Sequence, residues 1–217
     1  SYPGMMAWYR AWYQPNNATL VIVGDVQPKV VLAEVTKVFS ALPQKPLPVL
    51  KPRQQAFYLG SKSMLMRAHT RQPAWIAGFN VPTAAQPQTR RDAFALFVLA
   101  ESLVGGGGTG MLYDALVLNK KKAVSVGTSM DLYTRHPSLF VITATPAPGV
   151  PLGELQKNIM QVVRRIQQKP PTLSALKHVK TLIAAHVFYA RDDLMGQARQ
   201  IAEPLMAGMP YEDASAL

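Results

Sequence analysis

The chain has 217 residues, 48% of them hydrophobic and 16% charged, a balance that excludes intrinsic disorder and leaves ample material for a core. It contains no Cys, which excludes a disulfide framework, a thiolate zinc site and a cysteine nucleophile. Twenty-three Lys and Arg against 12 Asp and Glu give a net charge of +11, while no apolar run approaches the roughly 18 residues a membrane helix needs.

That charge raises a nucleic-acid partner, but the basic residues are scattered. Only "NKKK" (119–122) and the Arg pairs at 90–91 and 164–165 cluster, and neither a Gly-aromatic RNA-binding signature nor a zinc finger accompanies them. The composition therefore disfavours nucleic acid and points to a solvated basic face or an acidic partner. No membrane insertion is expected.

In chain order, "MMAWYRAWY" (5–13) reads as a short helix stopped by Pro15. "ATLVIVG" (18–24) is an apolar, β-branched run that reads as a buried strand ending in a turn at Gly24-Asp25. Pro28 suits the first turn of a helix, on which Val31, Val35, Val38 and Phe39 share a face. "PQKPLPVLKPRQ" (43–54) carries four prolines and no periodicity, so it reads as an extended linker and a domain boundary.

Strands are expected at Ser63 to His69 and at Trp75 to Val81, then a helix from about Arg90 to Val104. "GGGGTG" (105–110) interrupts, a short helix spans Met111 to Leu118, and strands at Ala123 to Leu132 and Leu139 to Thr145 are joined through His136-Pro137. Two helices follow, with Leu155, Ile159, Val162 and Ile166 on one face of the first and Leu176, Val179, Ile183 and Val187 on one face of the second. A last helix from Leu194 ends near Gly208. Strands first and helices later, with hairpin-like connections, imply an α+β fold with an antiparallel-rich sheet packed against helices.

Single motifs yield no active site. "GGGGTG" lacks the Lys-Ser/Thr ending of a phosphate loop and follows a helix, so it reads as a hinge between helices. None of His69, His136, His178 and His186 pairs at i, i+4, and His178 and His186 lie roughly 80° and two turns apart on one helix, too far for one zinc. Asp192-Asp193 and Glu212-Asp213 could act as acid or base groups, but adjacent carboxylates read first as solvated surface. No Gly-x-Ser-x-Gly elbow is present.

The ordered set of segments goes further. "WYQPNNATLVIVGDVQP" (12–28), "GFNVP" (78–82), "LVGGGGTGMLYDAL" (103–116), "FVITATPAPGV" (140–150) and "AAHVFYARDDLMGQARQIAEPLMAG" (184–208) resemble, in the right order, segments of the pitrilysin-like zinc peptidases, the M16 family. The resemblance implies repeated α+β domains clasping a substrate chamber. It places a zinc-binding His-x-x-Glu-His helix in a first domain, upstream of the opening segment, where zinc polarises the scissile carbonyl and the motif Glu acts as general base. That motif is absent from these 217 residues.

On this resemblance residues 1–43 are the end of an upstream catalytic-type domain, 44–55 the linker, and 56–217 a second, non-catalytic domain continuing past the C-terminus. The family often supplies from this domain an Arg and, seven residues on, a Tyr that polarise the substrate; here the corresponding positions are Val117 and Val124. No catalytic or metal-binding residue is therefore expected in the chain, and no substrate-binding residue is assigned. The implied function is a non-catalytic portion of a zinc endopeptidase that walls the substrate chamber opposite the metal. Its implied partners are a peptide or protein substrate and a second M16-type subunit, in a homo- or hetero-oligomer; bacterial relatives suggest a periplasmic setting, with the cytoplasm left open. The rival is a structural assembly subunit of the kind that has lost its catalytic groups.

Overall fold

Strand β3 (Ser138–Pro146) alternates strictly, with Phe140, Ile142, Ala144 and Pro146 buried and the intervening residues not. Such a strand needs neighbours on both edges and a cover on one face. β1 (Trp75–Val81) and β2 (Ala123–Met130) supply the edges, both antiparallel to β3, giving a three-stranded sheet of order β1-β3-β2. The structure is a computed structural model that describes residues 1–49, 60–105 and 110–215. It is helix-rich with this one small antiparallel sheet, the α+β class expected from the sequence.

The cover comes from helices α3 (Arg90–Val104) and α5 (Leu152–Gln168) and from a short α4 (Met111–Tyr113) that widens into a π turn over Asp114–Asn119. Their apolar stripes meet the inner face of the sheet, where Leu103, Leu112, Leu116, Leu155 and Ile159 pack with Phe140 and Ile142. Thr128, on β2, adds a hydroxyl hydrogen bond to the Ala100 carbonyl of α3 at 3.1 Å. α6 (Leu173–Tyr189) has Thr172 as its N-cap, accepting from the Ala175 amide, and buries no residue fully. α7 (Leu194–Met206) begins at Asp193 and ends before Gly208, whose φ of 91° only Gly adopts readily, and α8 (Tyr211–Ser215) follows.

A second, smaller cluster joins the far ends. Ala84, Ala93 and Met209 are buried together, with Tyr133 and Leu132 packed against them. Thr83, fully buried, donates to the Thr134 carbonyl, Arg135 donates to the Met206 carbonyl, and Arg90 bridges Asp213 at 3.0 Å while its Nε donates to the Ala84 carbonyl. These bonds tie the ends of β1 and β2 to the C-terminal helices.

The chain folds as two compact units, Ser1–His69 and Thr70–Leu217. In the first, α1 (Tyr2–Trp12), a 3₁₀ turn at Pro15–Asn17 and α2 (Pro28–Phe39, with Pro28 in its first turn) form as the sequence leads one to expect. Two expected strands do not. Residues 18–24 and 63–69 carry no ladder, and Leu20 and Ile22 stand 56% and 45% exposed. A strand exists only through its partner's hydrogen bonds, and the described residues of this unit hold no second strand to supply them. Residues 43–49 have no regular structure, whereas the rest of the expected linker and Gly106 to Thr109 of the expected hinge lie outside the described residues.

Gly110 closes the reversal from α3 into α4, its amide donating to the Val104 carbonyl at 3.0 Å. A Cβ there would lie 2.2 Å from the Val104 carbonyl carbon and 2.4 Å from its amide nitrogen, so backbone has to move. Gly110→Ala is expected to destabilise the protein by about 2 kcal/mol or more, seen as a Tm drop of roughly 4–8 °C. A melting curve like the wild type's would contradict it.

Tyr133 supplies a second test. Burial, with a smaller contribution from the Glu203 carboxylate, raises its phenol above the ordinary value of 10.0. The unfolded chain thus releases this proton at a lower pH than the folded one. The packing contribution of Tyr133 is intact below pH 10.0 and is lost as pH rises through the folded value. Urea unfolding of Tyr133→Phe should show a shallower loss of stability above that pH than the wild type; equal slopes would count against this reading.

Candidate functional site

Covering one side of the sheet leaves the other bare. On it β1 presents Ile76, Gly78 and Asn80, β3 presents Leu139, Val141 and Thr143, and β2 presents Ser125, Gly127 and Ser129, in register across the sheet. Ile76 is 69% exposed and Leu139 47%, values a side chain under a second layer could not have. The face is a shallow floor of small and hydroxyl-bearing residues with an apolar rim at Ile76 and Leu139.

Two glycines keep that floor low. A Cβ on Gly127 would come within 2.7 Å of Thr143 Oγ1, and one on Gly78 within 3.4 Å of a Leu139 methyl. β1 pairs only with β3, so the backbone groups on its outer edge have no ladder partner among the described residues. A peptide could use both features at once: main-chain hydrogen bonds at an edge and shallow side-chain packing on a floor.

What this face lacks is chemistry. Asn80 and the Ser and Thr hydroxyls carry no net charge, and no titratable side chain stands on the registered positions. Val117 and Val124, the positions the sequence resemblance pointed to, do structural work or stand in solvent. Val117 packs against the main core from the π turn, and Val124 stands exposed where a register shift interrupts β2 between Ala123 and Ser125. Neither can donate a hydrogen bond to an oxyanion.

The other candidates disperse. All four histidines are exposed, and among the described residues no three His, Asp or Glu side chains come together as metal ligands. Asp193 is an N-cap, its Oδ1 accepting from the Met195 amide at 3.0 Å. Asp213 is occupied by Arg90, so each adjacent carboxylate pair has a member committed to structure. The open face was the feature sequence reasoning missed, although its signal was there: Ser, Gly and Ser alternate along β2 with the core-facing residues.

Comparison with known proteins places this geometry. Residues 3–183 match the family described as "Peptidase M16 inactive domain". The chain is 27% identical over 179 residues to the zinc protease PqqE of Helicobacter pylori, which covers 80% of this chain but only 38% of that protein. Among solved structures it is similar to a protease from Helicobacter pylori, with a TM-score of 0.82 at 21% identity, over 100% of this chain and 55% of that one. It is also similar to a peptidase M16 inactive domain from Pseudomonas fluorescens, with a TM-score of 0.62 at 16% identity over 89% and 48% of the respective chains. The chain thus spans roughly two fifths to one half of these longer relatives, and at such identities the structural likeness speaks for the fold.

Proposed function

Because the chain belongs to the M16 peptidase inactive-domain family, we propose that it is the non-catalytic portion of a zinc-dependent endopeptidase and walls the substrate chamber opposite the metal. The observation that carries this reading is the uncovered sheet face with a β1 edge unpaired among the described residues: a surface able to grip an extended peptide and unable to cleave it. The residues present do not fit a zinc ion, since the described histidines and carboxylates do not converge. Zinc belongs, in this reading, to a domain encoded before residue 1.

The domain organisation follows the same reading. Residues 1–43 complete the upstream domain, 44–55 link the two, and 56–217 form the second domain. Support comes from the first unit, where no described side chain is buried and the apolar run Leu20 to Val23 has no strand beside it. A segment rich in Val, Leu and Ile that buries nothing by itself is a segment built to pack on something else. A second M16-type subunit completes the assembly in this proposal.

One observation favours a second reading, a structural subunit in an assembly. On the resemblance drawn from the sequence, Val117 and Val124 stand where active members often carry Arg and Tyr, and valine has no donor for either role. The two readings diverge on the parent protein rather than on this chain.

The chain alone is expected to bind no stoichiometric zinc and to leave peptides intact, as measured by metal analysis after dialysis and by a quenched-fluorescence peptide assay. Joined to its upstream domain it is expected to bind zinc and to cleave peptides. Ile76→Asp in that longer protein should lower kcat/KM by about tenfold with little change in Tm, because a charge on the floor must be desolvated under the peptide. A longer protein without zinc or cleavage would overturn the peptidase reading and leave the structural one.

A further inference from the structure

The net charge of the second unit is concentrated in one place. Lys120, Lys121, Lys157, Arg164, Arg165 and Lys169 are exposed, and the one acid of these segments, Glu154, is taken by Lys122 at 2.8 Å. Outside the segments 120–122 and 152–169, the residues of this unit carry eight basic and nine acidic side chains, so the rest is close to neutral.

Fold geometry assembles these cations into a strip. Residues 154, 158, 161 and 165 form one row along α5, and 157, 161, 164 and 168 the adjoining row. The π turn delivers Lys120 to the first row, where its Nζ donates to Asn158 Oδ1 at 2.9 Å and to Gln161 Oε1 at 3.3 Å. Both amide oxygens are neutral, so the ammonium is held in place without being compensated. Arg165 continues that row beyond Gln161, and Lys157 and Arg164 flank it, about 10 Å apart along the axis.

The inner stripe of α5, Leu155, Ile159 and Val162, packs in the core beneath the sheet. The strip therefore faces away from the open sheet face, on the opposite side of the layered unit. Favourable interaction with the helix C-terminus explains Arg165 and Lys169. It does not reach Lys120, which is bonded to Asn158 and Gln161 in the middle of the helix, or Lys157 in its second turn.

We propose that this strip docks an acidic α-helical segment of a partner protein. Cations at 157 and 164 recur at seven residues, the spacing at which a helix laid along α5 presents its own acids. Gln161 lies between them and Gln168 one turn beyond, and both offer amide donors to the same carboxylates. No large apolar side chain of α5 is exposed, and neither α5 nor residues 120–122 carry an aromatic ring. The strip thus lacks the wedge a membrane surface would take up and the stacking platform single-stranded nucleic acid would use. Such a surface governs encounter and orientation of the partner, and its affinity falls with salt.

Fluorescence anisotropy of the full chain with a labelled, roughly 21-residue Glu/Ala helical peptide at ~50 mM salt tests it. The triple variant Lys157→Glu, Arg164→Glu, Arg165→Glu is expected to bind about tenfold or more weakly. A control of equal charge change, Lys177→Glu, Lys180→Glu, Arg199→Glu, should alter affinity less than about twofold. If the Glu variant melts early, the corresponding Gln triple should still weaken binding beyond the control. Equal loss in strip and control variants, no binding by the wild type, or tighter binding of a duplex DNA that the strip variant abolishes would each overturn the proposal.

Discussion

The arrangement depends on β3 being paired on both edges and buried on one face only. Its alternation commits Phe140, Ile142 and Ala144 to the core, and with them the facing residues of β1 and β2. Once three strands share an inner side, the helices must pack there, because α3, α4 and α5 have apolar stripes to hide and the described residues form no other sheet to hide them on. The open face is the complement of that choice. Its Ser, Thr and Gly residues tolerate water, so a two-layer unit can leave it bare without a solubility penalty.

The same constraint explains the tight geometry between α3 and α4. Both pack on the sheet core, and Gly110 lies close against the Val104 backbone, its amide bonded to the Val104 carbonyl. The turn of π helix that follows lets Leu112 and Leu116 both be fully buried and then releases the chain toward β2. The lysines 120–122 follow it directly, and Lys120 and Lys122 bond to α5. A packing solution in the core therefore determines where the surface charge is placed.

Much of this was legible in the sequence wherever an element carries its own pattern. α3 falls at Arg90–Val104 as read from its periodicity, and the stripe Leu155, Ile159, Val162 is the buried one in α5. The family resemblance, drawn from ordered segments rather than any one motif, is also correct. Composition could not say which face of the sheet stays open, because that depends on where all the helices land. Nor could a count of basic residues show that the charge is localised: Lys120 is distant in sequence from α5 and joins its row of residues only through bonds to Asn158 and Gln161.

The strands that failed to form carry the most physical content. "ATLVIVG" and "SMLMRAH" have the composition of strands, yet composition is a statement about what a segment tolerates on a pleated surface and not about what it does alone. β1 has no stronger local signal than either, with a Gly at its centre, and it forms because β3 lies beside it. In the first unit the described residues offer no such neighbour, and an exposed Leu20 and Ile22 result. Pairing such a segment would satisfy its backbone and cover its apolar side chains in one step. In the proposed function that neighbour is supplied by the upstream domain, and the exposure of Leu20 and Ile22 is what such an arrangement would relieve.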